Sequence, residues 1–172
     1  TNILKNPNGL KINNLYESKF PNELIELDEQ PARRKPAYDY YEALEKSGIH
    51  VIQLKEPGLK GKIDGLNFKI LGVTNPEITV NPFNNSSVVI RVWDTKKSIV
   101  FLGDTGVESG NKLLNSRYKK DLDCDYLQMA HHGQRGCDEH FYKSIKFRAC
   151  LWPTPTWVWN NDVGEGFNTA YM

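Results

Sequence analysis

The chain has 172 residues, 22 basic against 21 acidic, and a formal net charge of +1. That length suits one domain able to bury a core, and a composition of 39 % hydrophobic and 25 % charged residues excludes a disordered chain. Its longest apolar run, Ile99 to Leu102, falls far short of the ~20 residues that span a membrane, and a balanced charge argues against nucleic-acid binding through a broad basic face.

Cys124, Cys137 and Cys150 are spaced 13 residues apart, with no Cys-x-x-Cys pair. An odd count at that spacing reads as buried or half-buried thiols of a reducing, cytosolic compartment. The chain opens on Thr1 with no basic start and apolar run behind it, so no signal peptide is read and the true start is expected upstream.

Residues 1–35 are rich in Asn, Pro and charge, and read as a loop-rich lead-in with one strand-like run at 10–16. Pro36 then fits a first helical turn, Ala37, Tyr40, Tyr41 and Leu44 follow at helical spacing, and Gly48 supplies a C-terminal cap. This predicts a helix over 36–47 that covers one face of a sheet. Short extended runs follow at 50–54, 66–73 and 78–80, and then at 87–93 and 98–102 with a polar hairpin turn between them.

After Leu102 the pattern changes. Thr105 and Glu108 form a capping-box signature, which predicts a helix starting directly after Asp104, with Val107, Leu114 and Tyr118 on one face. A strand at 125–130, a helix at 139–145 and a strand at 148–152 complete a strand–helix alternation. Such alternation predicts a layered α/β arrangement with parallel neighbours, the whole chain forming one domain.

Two polar clusters fall at equivalent places in this alternation. Asp104 follows the strand at 98–102, and His131-His132 follow the strand at 125–130, each cluster beside a glycine (Gly103, Gly133). If the strands are parallel neighbours, both clusters open at the carboxyl rim of the sheet, where ligands bind in α/β folds. A carboxylate and imidazoles meeting there are ordinary metal ligands. Taken singly, Asp104 also reads as a helix-start carboxylate, and the histidine pair as surface residues. His50 and His140 read as structural.

The segments Asn84 to Val92, Ile99 to Asp104 and Asp125 to Gly133 resemble the metallo-β-lactamase superfamily. The branch they resemble is the one containing the hydrolase-like domain of the competence protein ComEC. There an Asn-x-Ser segment, a Gly-Asp and a His-His-Gly occur in this order at successive strands. The resemblance implies an αββα sandwich and a hydrolase using one or two zinc ions, with manganese or iron as alternatives. Attack by metal-bound hydroxide on a phosphodiester or similar ester is the reaction it implies. It assigns Asp104 and His132 to catalysis, and Asp104, His131 and His132 to the metal, His132 being preferred because it directly precedes a glycine. The superfamily's His-x-His-x-Asp-His hallmark is absent from the chain. The expectation is therefore the second half of a larger domain, with little hydrolysis by this chain alone.

Three of the four tryptophans, Trp152, Trp157 and Trp159, fall near the end with Asn160 and Asp162. They read either as core-capping side chains or as a substrate wall for a nucleotide or other small molecule. Pro153 and Pro155 are expected to keep this run extended. A metal-free domain that binds a partner through 152–162 is the alternative function, and a homodimer through an exposed sheet face or edge is the expected assembly.

Overall fold

A computed structural model describes residues 12–28 and 31–160. The strands are β1 (Leu15–Glu17), β2 (Val51–Gln53), β3 (Lys60–Ile63), β4 (Leu66–Gly72), β5 (Val89–Trp93), β6 (Ser98–Phe101), β7 (Tyr126–Gln128) and β8 (Ala149–Leu151). The helices are α1 (Asn22–Leu27), α2 (Arg34–Ser47), α3 (Pro82–Asn85), α4 (Val107–Leu114), α5 (Glu139–Lys143) and α6 (Thr156–Trp159). Strands β3 to β8 form one six-stranded sheet in sequence order, and β1 pairs in parallel with β2 in a separate small sheet. Pairing is antiparallel from β3 to β6 and parallel from β6 to β8, so the expected α/β layering with parallel neighbours is observed. Among the described residues no helix is long and apolar enough to cross a membrane.

Side-chain alternation sorts the sheet residues onto two faces. Leu71, Val89, Val100 and Leu127 point to the face covered by α4 and α5, where they pack with Leu113, Leu114 and Phe141 in the main core. On the other face, Leu54 after β2 packs on Ile70 and Ile90, and Tyr16 of β1 meets Phe68 edge-on at 6.4 Å. The small sheet therefore covers the β4–β5 half of this face. The β6–β8 half is less covered, with Phe101, Tyr126 and Leu151 exposed.

Helix α2 begins with Pro36 inside its first turn and ends at Gly48, whose φ of 65° is the left-handed cap expected of glycine. The β5–β6 hairpin closes where the polar turn predicts. Asp94 Oδ1 accepts from the backbone N–H groups of Lys96 and Lys97 at 2.7 and 2.6 Å.

Several expectations are corrected. The run at 10–16 forms a strand only over Leu15–Glu17, residues before Ile12 lying outside the described part. Residues 78–80 are not a strand: Ile78 N–H turns back to Asn75 O, and Val80 is exposed. Conversely, β3 is a polar strand whose two lysines hide its alternation. Its signal was the Asp64-Gly65 turn, with φ of 47° and 87°, joining it to β4.

The capping box does not form. Thr105 is buried and donates its hydroxyl to Leu102 O, Glu108 accepts from Asn85 Nδ2, and α4 starts at Val107 without a side-chain cap. Helix α4 also ends at Leu114. Tyr118 is buried beyond it, and Val107 faces solvent. Finally, the two prolines hold only 152–155 extended, and Thr156–Trp159 closes into a helical turn.

Candidate metal and ligand site

Asp104 and the histidine pair do meet at one rim. Strands β6 and β7 are parallel neighbours, with Ile99 opposite Tyr126 and Val100 opposite Leu127, so their carboxyl ends emerge side by side. Gln128, the last residue of β7, ties the two ends together. Its Oε1 accepts from Leu102 N–H and Gly103 N–H at 2.9 and 2.8 Å, and its Nε2 donates to Gly103 O and to Met129 O. Gly103 turns with φ of 60°, and a Cβ there would sit 3.0 Å from Ser87 Oγ. That same Ser87 Oγ accepts the Asp104 N–H at 3.0 Å, which fixes where Asp104 leaves the strand.

His131, His132 and Gly133 adopt three consecutive left-handed conformations, with φ of 47°, 59° and 77°. The turn is pinned from both sides: His131 N–H donates to Gly103 O at 2.9 Å, and Gln134 N–H donates to His131 O at 2.9 Å. His132 O receives Trp152 Nε1–H at 3.0 Å and Thr154 Oγ–H at 2.7 Å.

The His132 ring is held by Pro153 O, 2.7 Å from Nδ1. A carbonyl oxygen only accepts, so Nδ1 carries a proton, and in the neutral ring it is Nε2 that keeps a lone pair. That Nε2 lies 3.9 Å from Asp104 Oδ1, too far for a direct hydrogen bond, and both side chains are about two-fifths exposed. Two ligands of one tetrahedral zinc stand about 3.3 Å apart. The pair is thus spaced as two donors with room for an ion between them, in the tautomer a metal ligand needs.

His131 neighbours this pair, its ring against Asn84 Nδ2 at 3.2 Å and its centroid 6.1 Å from that of His132. Burial lowers its pKa against the opposing pull of Asp104, so its neutral form is favoured. Among the described residues no group of three or more His, Cys, Asp or Glu side chains has the geometry to hold a metal. Asp104 and His132 could supply two donors to an ion, and among the described residues no third His, Cys, Asp or Glu joins them.

Asp104 and His131 also line a cleft of about 540 Å³. Its opposite wall comes from the lead-in and α2: Phe20, Arg33, Tyr40 and Tyr41, with Phe83 and Ser86 from the α3 region. The sequence reading missed this wall. It assigned residues 1–35 to a lead-in and α2 to sheet cover, and no local pattern announces that these parts fold over the rim.

The tryptophan segment divides. Trp152 serves as the hydrogen-bond donor to His132 O. Trp157 and Trp159 are 50 % and 52 % exposed, so they are not core caps, and the core contact of that turn is made by Val158. Trp159 stands edge-on to Trp152 at 5.9 Å. Neither they nor the exposed Asn160 line the cleft beside Asp104. Asp162 lies outside the described residues. His50 and His140 are exposed and away from the rim cleft's lining. The cysteines are free thiols; burial raises all three, Cys124 to about 11.

No protein-family model matches the sequence, and no curated protein matches it. Among solved structures, the chain is similar to the metallo-beta-lactamase fold protein YhfI from Bacillus subtilis. The TM-score is 0.37 and the identity 9 %, over 90 % of this chain and 73 % of that one. At those values the likeness carries no weight in the reading of the site.

Proposed function

We propose that this chain carries part of the metal site of a hydrolase of the metallo-β-lactamase superfamily, of the ComEC-like branch, within an αββα sandwich of which these residues form the second half. The observation that carries the reading is the His132 ring, whose Nδ1 is 2.7 Å from Pro153 O and whose Nε2 lone pair is 3.9 Å from Asp104. Zinc, manganese or iron suits that donor pair. A bound zinc lowers the pKa of its water towards neutrality and polarises an ester for hydrolysis.

The chain's own residues hold and orient. Asp104 presents its carboxylate from a backbone N–H fixed by Ser87, and His132 presents Nε2 from a ring fixed by Pro153 O. His131, half-buried and with its neutral form favoured by burial, stands beside them. A catalytic zinc takes three protein ligands. Because two are assembled here, the proposed remainder lies beyond the described residues, and hydrolysis of a phosphodiester by this chain alone is expected to be negligible. Zinc titration calorimetry tests the reading: one weakly bound ion, lost in Asp104→Ala and in His132→Ala, is the expected result. Equal zinc binding by wild type and both variants would sink it.

A second reading draws on the exposure of Trp157 and Trp159, which suits a metal-free domain that holds a partner through this turn. Absence of any zinc binding, together with loss of partner capture in Trp157→Ala, favours it. For self-association we propose a second copy across β8. That edge carries no charge within its strand and adjoins the exposed Phe101, Tyr126 and Leu151, whereas the opposite edge, β3, bears Lys60 and Lys62.

A further inference from the structure

The cleft beside the rim has a composition of its own. One wall is aromatic: Phe83 lies in it, stacked on Phe20 at 4.4 Å between centroids and 15° between planes, and Tyr40 and Tyr41 join it from α2. The polar lining includes several donors, with the Asp104 carboxylate as its one anionic group among the described residues. Arg33 Nη1 lies 3.7 Å from the buried Asp28 carboxylate, an ion pair too long for a hydrogen bond, and its guanidinium offers five N–H donors. Tyr41 oxygen accepts Phe20 N–H at 2.8 Å, and its own O–H is paired with no described residue, the Glu17 carboxylate acting on it from nearby. Ser86 is in the same position. Its Oγ accepts Asn75 N–H at 3.4 Å and donates to no described residue.

Three free donors and an aromatic wall face one cavity large enough for a small molecule. We propose that this cleft binds a small aromatic anion, its acceptor-only group held by Arg33, Tyr41 and Ser86 and its ring laid along Phe83 and Tyr40. A phosphoryl group and a carboxylate share the chemistry that Arg33 recognises. The proposal deepens the metal-site reading, because the cleft opens onto Asp104 and His131, but binding itself needs no metal.

The test uses the full chain in a chelating buffer, titrated with phenylphosphonate and followed by calorimetry or amide NMR shifts. Benzyl alcohol and inorganic phosphate serve as partial ligands, and benzoate separates a carboxylate from a phosphoryl preference. Expected is binding of phenylphosphonate or benzoate at least tenfold tighter than of benzyl alcohol or phosphate. Arg33→Gln should weaken it about tenfold and Tyr41→Phe about threefold, while Lys96→Ala in the exposed β5–β6 turn leaves it unchanged. Tyr41→Phe keeps the ring and removes only the free hydroxyl, so it stays informative even if Arg33→Gln fails to fold. Binding no tighter than that of inorganic phosphate, or untouched by both substitutions, overturns the proposal. Intact anion binding in a chain that takes up no zinc would overturn the metal reading alone.

Discussion

His132 Nδ1 lies 2.7 Å from the carbonyl oxygen of Pro153, and this one contact decides which ring nitrogen faces Asp104. Trp152 and Thr154, on either side of that proline, both donate to the His132 carbonyl. The three residues work as a strap that sets both the backbone and the tautomer of one histidine. Thr154→Val and Trp152→Phe keep shape and remove the donors. Each is expected to weaken zinc binding by about tenfold, in line with other outer partners of metal-bound histidines. Unchanged affinity in the double variant, measured by competition with a zinc indicator, would show that the strap does not position the ligand.

Gln128 makes a second claim open to measurement. Its amide satisfies backbone groups of Leu102, Gly103 and Met129 at once, joining the rims of β6 and β7. Gln128→Leu orphans two N–H groups in the rim, which costs about 2–6 kcal/mol at the usual penalty of ~1–3 kcal/mol for each lost partner. Urea unfolding checks this, and a loss below about 0.5 kcal/mol would mean that water replaces the amide freely.

Tyr40 gives a pH dependence with a definite sign. Burial, with the neighbouring Glu17 carboxylate adding to it, pushes its phenol from 10.0 up to about 12. The folded state thus favours the neutral phenol. Its contribution to stability is complete below pH 10 and is lost as pH rises from there towards about 12. Tyr40→Phe should flatten the decline of melting temperature in that window, and ultraviolet titration should lose one late phenolate step. An identical alkaline decline in the variant would contradict the assignment.

The uncharged edge β8 leads to an expected dimer. Light scattering at tens of micromolar should show it, and Leu151→Lys, which puts a charge on an exposed edge residue, should give a monomer. A wild-type chain that stays monomeric across that range rules the assembly out.

The part of the architecture legible in the sequence is the part set by local signals. Asp94 and the lysines after it announce the β5–β6 hairpin, Gly48 ends α2, and strand-end placement of Asp104 and His132 brings them to one rim. The cleft wall was not legible, because it depends on contacts between distant parts of the chain. Ser18 bonds with Thr74, Tyr41 with Phe20, and Phe20 stacks on Phe83, each pair far apart in sequence and unmarked by any period. Thr105 misled for the opposite reason. Its local pattern is that of a cap, but burial gave its hydroxyl to Leu102 O.

The left-handed run at His131 and His132 sets the two demands on this rim against each other. A non-glycine residue in that conformation costs about 1–2 kcal/mol, and here two imidazoles bear it in succession. His131→Gly would relieve that strain while giving back roughly 0.5–1 kcal/mol through the freer unfolded chain, so the fold stands to break even or gain slightly. The cleft beside Asp104 would lose an imidazole from its lining. A screen for thermal stability alone would therefore discard such residues early, and on the proposed reading a screen for zinc uptake would keep His132.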